Sequence, residues 1–209
     1  MRDETTVVNG TLIRRGTAAD REAMLTTLTR AFADDPVWGA WAFPDRARAL
    51  EQRRVFFGLW VEMSLRDGWL MVTGGCEAVA SWFPPGAGDD TPEDAALFRR
   101  LAHQHLGPRA PLFLEGCALI ERSRRGDEPF HFLSLLGTHD AHRGQALGGT
   151  LLDASLAIVD REGRPAYLDS TNPANIPFYE RRGFRRMGAY RLPDGPRIEP
   201  MWRKPLGAV

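Results

Sequence analysis

The chain has 209 residues, of which 43% are hydrophobic and 26% are charged, a composition typical of one globular domain spanning residues 1–209. Its 27 basic and 27 acidic side chains balance, so no net charge favours a nucleic acid or a membrane as partner. Two cysteines, no apolar leader and no apolar run long enough to cross a bilayer lead us to expect a cytoplasmic protein.

The first half of the sequence predicts strands and amphipathic helices in alternation. Thr17 and Asp20 have the spacing of a capping box, which marks a helix start. The expected elements are strand 11–15, a helix from Thr17 to about 34, a loop or broken helix over 34–45, a helix from Asp45 to about 66, and two strands joined at Gly74-Gly75.

A helical insert is predicted at about 91–125, between two strands. Thr91 as cap, Pro92 in the first turn and Asp94 near the positive end of the helix dipole are typical of a helix start. That helix should end near Gly107, and a second helix should follow over 110–125.

The second half predicts a mixed α/β sheet. The expected elements are strand 129–138, a helix to about 161, strand 166–170, a short helix over 174–182, and two final strands over 183–192 and 196–205. Helices between the central strands and an antiparallel pair at the end favour this class.

The stretch HDAHRGQALGG, residues 139–149, joins the central strand to its helix. Backbone amides in the first turn of a helix have no intrahelical partner, and the helix dipole adds positive charge there. Gly144, Gly148 and Gly149 would let a phosphate approach those amides, and Arg143 would add a fixed cation. The pattern therefore predicts an anion site, although a helix that merely starts in a glycine-rich turn would look the same.

Other phosphate sites fit less well. A nucleotide P-loop needs a lysine after its last glycine, and the glycine spacing is not that of a dinucleotide fingerprint. No metal site is expected, because the helical residues His103 and His105 face different directions and no cysteine cluster exists.

A second pattern follows the next strand, in DSTNPANIPFYERRGF, residues 169–184. Asn175 and Tyr179 are four residues apart and share a face of the short helix, which Gly183 would end. Tyr179 is either a core aromatic or a phenol that points into a site.

Taken together, RGQALG (143–148) and NIPFYERRGF (175–184) resemble the GNAT superfamily of acyl-CoA-dependent N-acetyltransferases. One departure is Ala146, where the family usually has glycine, and its methyl group should tighten the loop. Within the superfamily, AFADDP, LPDGPR and WRKP are similar to stretches of puromycin N-acetyltransferase-like proteins.

The resemblance implies a mixed, mostly antiparallel sheet that splays at its central strands and is flanked by helices. It implies acetyl-CoA as the cofactor, a direct attack by the amine in a ternary complex, a backbone amide near Thr138 that stabilises the oxyanion, and Tyr179 as general acid. The cofactor-binding residues that it implies are Leu136, Gly137, Thr138, Arg143, Gly144, Gln145, Ala146, Leu147, Gly148, Gly149 and Asn175.

The sequence defines the residues that bind the amine less clearly than those that bind the cofactor. Asp169 is a candidate base or amine anchor, although a solvated or capping aspartate is an equal alternative, and His139 or His142 could relay a proton instead. Trp38, Trp41 and Asp34 are the candidate substrate-binding residues: a loop can expose the two tryptophans, and the carboxylates of Asp34 and its neighbour Asp35 could attract a cationic amine.

The predicted function is N-acetylation of a small-molecule amine, such as an antibiotic or a secondary metabolite, by a monomer or homodimer. The alternatives are a protein or peptide N-acetyltransferase and a catalytically silent acyl-CoA-binding module. A walled cleft would argue against a peptide substrate, and the intact Tyr179 argues against a silent module.

Overall fold

A computed structural model describes residues 5–87, 91–124 and 128–207. Within these ranges the chain forms nine strands in the order β1-β2-β3-β4-β5-β6-β9-β7, with β8 paired to β9. The strands are β1 Thr6–Val8, β2 Thr11–Arg15, β3 Trp69–Thr73, β4 Ala78–Phe83, β5 His131–Thr138, β6 Ala166–Ser170, β7 Arg185–Arg186, β8 Tyr190–Arg191 and β9 Arg197–Arg203.

Six α-helices cover the sheet in the same described ranges. They are α1 Arg21–Ala31, α2 Ala49–Asp67, α3 Pro92–Leu106, α4 Ala110–Ser123, α5 Leu147–Arg161 and α6 Ile176–Glu180. None of these helices combines the length and the apolar character that a membrane crossing requires.

The predicted fold class is confirmed. Each strand pair is antiparallel except β5 with β6, which run parallel. This parallel pairing starts at His131 opposite Ala166 and stops at Leu133 opposite Leu168, while β5 continues to Thr138. The two central strands therefore separate and leave a gap between them, which we call the strand gap.

A β-bulge lies where the separation begins. Ser81 of β4 pairs with Leu135, and its neighbour Trp82 pairs with Leu133, so Ser134 is an extra residue in β5. A bulge bends its strand and increases the local twist. The bend at Ser134 thus accounts for the divergence of β5 from β6.

The alternation of side chains along β3 shows how the layers are built. Leu70 and Val72 are buried with residues of α1 and α2, whereas Trp69 and Met71 are buried with residues of α5 on the other face. A separate apolar cluster joins α2 to α3 and α4, with Phe56 among its fully buried side chains. The helices α3 and α4 therefore form a third packed unit beside the sheet.

Most predicted elements are confirmed, including the Thr17–Asp20 and Thr91–Asp94 caps. The range of the expected insert holds α3 and α4, and its last residue, Arg125, lies outside the described residues. Three details differ: β1 was not predicted, α2 begins four residues after Asp45, and the expected strand over 183–192 consists of two short strands.

Candidate functional site

A cavity of about 670 Å³ lies at the junction between β5 and α5, and we call it the glycine-loop cavity. Residues of the strand, the glycine-rich loop and α6 form its walls. The predicted cofactor-binding residues that line it are Leu136, Gly137, Thr138, Arg143, Gly144, Ala146, Leu147, Gly148, Gly149 and Asn175. Gln145 is exposed and is not part of this lining, so the structure does not bring it to the predicted position.

The loop backbone adopts the shape that an anion site requires. Gly144 has φ of +81° and Ala146 has φ of +58°, so both lie in the left-handed region and turn the chain into α5. A Cβ on Gly148 would lie 2.7 Å from the hydroxyl of Thr138, so the glycine lets α5 begin in close contact with the end of β5, whereas a Cβ on Gly144 would have no atom within 4 Å. The first-turn amides of α5 can therefore bind an anion such as a phosphate.

Arg143 supplies the expected cation beside this loop. Its guanidinium donates a hydrogen bond of 2.9 Å to the carbonyl of Ala31, at the C-terminal end of α1. This contact holds the positive charge at the wall of the glycine-loop cavity, where a phosphate would be attracted.

The free edge of β5 presents backbone groups to the strand gap. The amide of His139, just after β5, donates to the carbonyl of Glu77, just before the start of β4. Because neighbouring residues of an antiparallel strand point to alternate edges, the N–H and C=O groups of Leu136 and Thr138 point away from β4. These groups can therefore bind an extended ligand lying in the gap.

Tyr179 of α6 is buried and lines the same cavity, in edge-to-face contact with Phe178 and Phe184. Burial raises the pKa of the phenol well above its ordinary value, and the negative charge of Asp35 raises it further. The phenol therefore remains protonated at neutral pH and can donate a proton.

A second cavity, of about 400 Å³, lies between β5 and the helices α2, α3 and α4, and we call it the aromatic cavity. Five aromatic rings contribute to its walls: Trp38, Trp60, Phe83, Phe98 and Phe132. The rings of Trp38 and Trp60 are in edge-to-face contact, with centroids 4.8 Å apart. Trp38 thus lies in a cavity wall, which is the position that the sequence predicts for it.

Asp169 lies in the wall of the aromatic cavity, one residue beyond the last β6 residue that pairs with β5. Its Oδ1 atom accepts hydrogen bonds from the hydroxyls of Tyr167, at 2.9 Å, and Tyr190, at 3.3 Å. Its Oδ2 atom is buried and has no hydrogen-bond partner in the described part of the chain. Burial raises the pKa of Asp169 to about 6, while the hydrogen bond from Tyr167 and the charge of Arg124 act in the opposite direction.

The linings of the two cavities are adjacent along β5, beside the strand gap. Ser134 and Leu135 of β5 line the aromatic cavity, and the next residues, Leu136 to Thr138, line the glycine-loop cavity. A ligand extending from one cavity could therefore reach a ligand in the other.

A hydrogen bond across this boundary was not predicted. The Thr171 hydroxyl, on the aromatic-cavity side, donates to Oδ2 of Asp35, on the glycine-loop side, at 2.8 Å. Oδ1 of Asp35 accepts from the amides of Val37 and Trp38, which begin a π-helical turn over Pro36–Trp41. The sequence points to Asp35 only as a carboxylate that could attract an amine; an aspartate directly before a proline is also a common helix cap, and that local pattern indicates the role that the structure gives it.

The structure corrects the predictions for the other two candidate substrate-binding residues, Trp41 and Asp34. Trp41 is buried, stacks on Phe113 and donates its indole N–H to the carbonyl of Pro193 at 3.0 Å, so it belongs to the core. It lies in neither cavity lining because the π-helical turn directs it inward. Asp34 is exposed and lines the glycine-loop cavity instead of the aromatic cavity.

Of the two candidate proton relays, His142 lines the glycine-loop cavity, and His139 does not. Asn172, which the sequence did not identify, also lines that cavity and caps the turn before α6 through Ala174. In the described ranges there is no group of three or more His, Cys, Asp or Glu that could hold a metal ion.

Part of the chain matches a known family model, and a curated protein and solved structures are similar to it. Residues 111–186 match the family model described as an acetyltransferase (GNAT) domain. A curated relative, the mycothiol acetyltransferase of Acidothermus cellulolyticus, is 26% identical over 174 residues, which are 81% of this chain. The chain spans less than half of that relative, 43% of its length.

Solved structures share the fold. A Corynebacterium glutamicum structure, described as histone acetyltransferase HPA2 and related acetyltransferase, has a TM-score of 0.69 and 24% identity, over 94% of this chain and 98% of that one. Arylalkylamine N-acetyltransferase 2 from Aedes aegypti has a TM-score of 0.66 and 15% identity, over 94% and 99%. The chain therefore has the fold of GNAT acetyltransferases.

Proposed function

We propose that this protein, with its GNAT-type acetyltransferase fold, transfers the acetyl group of acetyl-CoA to the amino group of a small molecule. One observation supports the proposal: the linings of the glycine-loop cavity and the aromatic cavity are adjacent along β5, beside the strand gap. Two ligands bound in these cavities would face each other there, which suits direct transfer in a ternary complex.

The residues of the glycine-loop cavity fit acetyl-CoA. The amides at the start of α5 and the guanidinium of Arg143 would hold its pyrophosphate, since the space around Gly144 beside them is open. The open edge of β5 at Leu136 and Thr138 would pair with the amides of its pantetheine arm, and Asn175 would contact the same arm. When bound, acetyl-CoA supplies an acetyl group activated as a thioester.

The protein's own groups would assist the transfer in three ways. Tyr179 would hold a proton beside the leaving sulfur, because its raised pKa keeps the phenol protonated. A backbone N–H at the free edge of β5, near Thr138, would donate to the oxygen that gains negative charge. Asp169 would bind the amine or accept its proton, since Oδ2 has a free acceptor position.

A small molecule is favoured over a peptide because α2, α3 and α4 all contribute walls to the aromatic cavity. Two relatives are named for small molecules, mycothiol and arylalkylamines. The resemblance to puromycin N-acetyltransferase-like proteins makes an antibiotic amine one candidate acceptor.

The test is calorimetric titration with acetyl-CoA of the unchanged protein, of Gly148→Val and of Gly163→Ala. Gly163 follows α5, at the opposite end of that helix from the loop, and serves as the control. We expect binding to be lost only in Gly148→Val, with the circular dichroism spectrum unchanged. Equal affinity in all three proteins would overturn the proposal.

A further inference from the structure

The aromatic cavity has walls suited to a flat apolar group. Its five rings come from five elements of the chain, namely the π-helical turn, α2, β4, α3 and β5. Trp38, Trp60 and Phe98 are only partly buried, so part of each ring surface is available to a ligand. Leu59, Met63 and Leu114 complete the apolar lining. A volume of about 400 Å³ lies in the range of small-ligand pockets.

The acidic side chains of the cavity differ in whether they have an acceptor oxygen left for a ligand. Asp94 is already engaged, because its carboxylate accepts from Arg66 at 2.6 Å and from the hydroxyl of Thr91 at 2.8 Å. Glu121 is exposed to solvent. Asp169, by contrast, has a buried oxygen that no described donor satisfies. A buried carboxylate oxygen without a partner is costly, and a ligand amino group would supply the missing donor.

The basic side chains of the lining limit how much positive charge a ligand can carry. The guanidinium of Arg124 lies over the ring of Phe132, 3.7 Å from its centroid, and its charge acts on Asp169. Arg99, in the same wall, is exposed to solvent and contributes less. A second cation on the ligand would meet these positive charges, so the cavity disfavours a linear polyamine.

We infer that the acceptor is a monoamine on an aromatic body, with its amino group at Oδ2 of Asp169 and its ring between the side chains of Trp38, Trp60 and Phe98. This inference rests on the proposed function, because it names the class of amine that the acetyltransferase site would take. Asp169 lies at the start of the strand gap, so an amine held there would be beside the region where the two cavities meet.

The test compares three amines at saturating acetyl-CoA: 2-phenylethylamine, butylamine and putrescine. The specificity constant kcat/KM should be at least about tenfold higher for 2-phenylethylamine than for either of the others, because only its ring buries against the cavity walls. Quenching of tryptophan fluorescence by 2-phenylethylamine alone would report binding directly, since Trp38 and Trp60 line the site.

Two variants separate the amine anchor from the ring contacts. Asp169→Asn should lower kcat/KM for 2-phenylethylamine about 30-fold or more and leave acetyl-CoA affinity unchanged. Glu115→Gln, which removes an exposed carboxylate of α4 outside the cavity lining, is the matched control and should have no effect. Trp60→Leu should weaken selection for 2-phenylethylamine and change the rate with butylamine little.

The possible failures are distinguishable. If acetyl-CoA binds and putrescine or butylamine is acetylated as well as 2-phenylethylamine, the inference is overturned and the proposed function stands. An Asp169→Asn variant with unchanged kcat/KM would likewise overturn it. If acetyl-CoA binds and none of the three amines is acetylated, the inference alone is overturned; if acetyl-CoA does not bind, the proposed function fails and this inference fails with it.

Discussion

The hydroxyl of Thr171 and the carboxylate of Asp35 are joined by a hydrogen bond of 2.8 Å between residues 136 positions apart in the chain. The bond links the loop after β6 to the turn that presents Trp38, and it lies on the boundary between the two cavities. The position of a ring in the proposed amine site thus depends on a carboxylate of the proposed cofactor site.

Asp35→Ala should lower the free energy of unfolding by about 2 kcal/mol, because it leaves the amides of Val37 and Trp38 without their acceptor. The same change should raise KM for the amine, since the turn that carries Trp38 is released. Urea denaturation and steady-state kinetics measure the two effects. Asp34→Ala, which removes the exposed neighbouring carboxylate, should stay within about 0.5 kcal/mol of the unchanged protein. Equal losses in the two variants would show that the cap has no special role.

Tyr179→Phe should lower kcat on the order of 100-fold, because it removes the phenolic proton and keeps the ring packed against Phe178 and Phe184. Acetyl-CoA affinity should hardly change. Since the pKa of Tyr179 is raised, the unchanged protein should show no decline in kcat from loss of this proton up to about pH 10. Full turnover by the variant would mean that water or His142 provides the proton.

Two substitutions in the glycine-rich loop, one at Ala146 and one at Gly144, should change stability in opposite directions. Ala146→Gly relieves a left-handed alanine and should leave stability unchanged or raise it by up to about 1 kcal/mol. Gly144→Ala places a methyl group at φ of +81° and should destabilise by about 1 kcal/mol. Thermal denaturation without acetyl-CoA measures both. Changes of the same sign would contradict the assigned backbone.

Asp169 should make stability depend on pH. Its pKa of about 6 lies above the ordinary 3.8, so the folded state favours the protonated carboxyl. The free energy of unfolding should therefore fall as pH rises through 6 and this group loses its proton. Asp169→Asn should therefore be more stable than the unchanged protein at about pH 8, by at most about 3 kcal/mol, with no difference near pH 4. Denaturant titrations at the two pH values test this, and a difference that grows toward acid would contradict it.

The two tryptophans of the 36–41 turn should respond differently to substitution. Trp41→Ala removes a core ring stacked on Phe113 and should cost about 3 to 5 kcal/mol of stability. Trp38→Ala should instead raise KM for the amine about tenfold, with a smaller stability loss and unchanged KM for acetyl-CoA. Calorimetry and kinetics on both variants separate these roles, and a matched loss of stability in the two would assign Trp38 to the core as well.

Local sequence patterns were enough to predict the glycine-rich loop and the Tyr179 helix. Each is a short stretch whose backbone is set by its own residues, such as Gly144 and Gly183, and both tyrosine and loop line one cavity. The bulge at Ser134 was not predicted, because it depends on the register between β4 and β5.

The residues of the proposed amine site are harder to predict, because they come together only in the folded chain. The aromatic cavity combines three helices with β5, and no local pattern indicates that Arg124 lies beside Asp169 or that Thr171 binds Asp35. Trp41 was assigned to a pocket because it lies in a short aromatic segment. The π-helical turn places it against Phe113 and α4 instead.

The central claim is direct transfer between two ligands that meet at the strand gap. Its most direct test is a matrix of initial rates in which acetyl-CoA and 2-phenylethylamine are varied together, with the N-acetylated amine and the free thiol of CoA both quantified by mass spectrometry. We predict equal amounts of the two products and double-reciprocal lines that intersect. Parallel lines would indicate an acetylated enzyme intermediate, and release of thiol without N-acetylated amine would indicate hydrolysis; either result would contradict direct transfer.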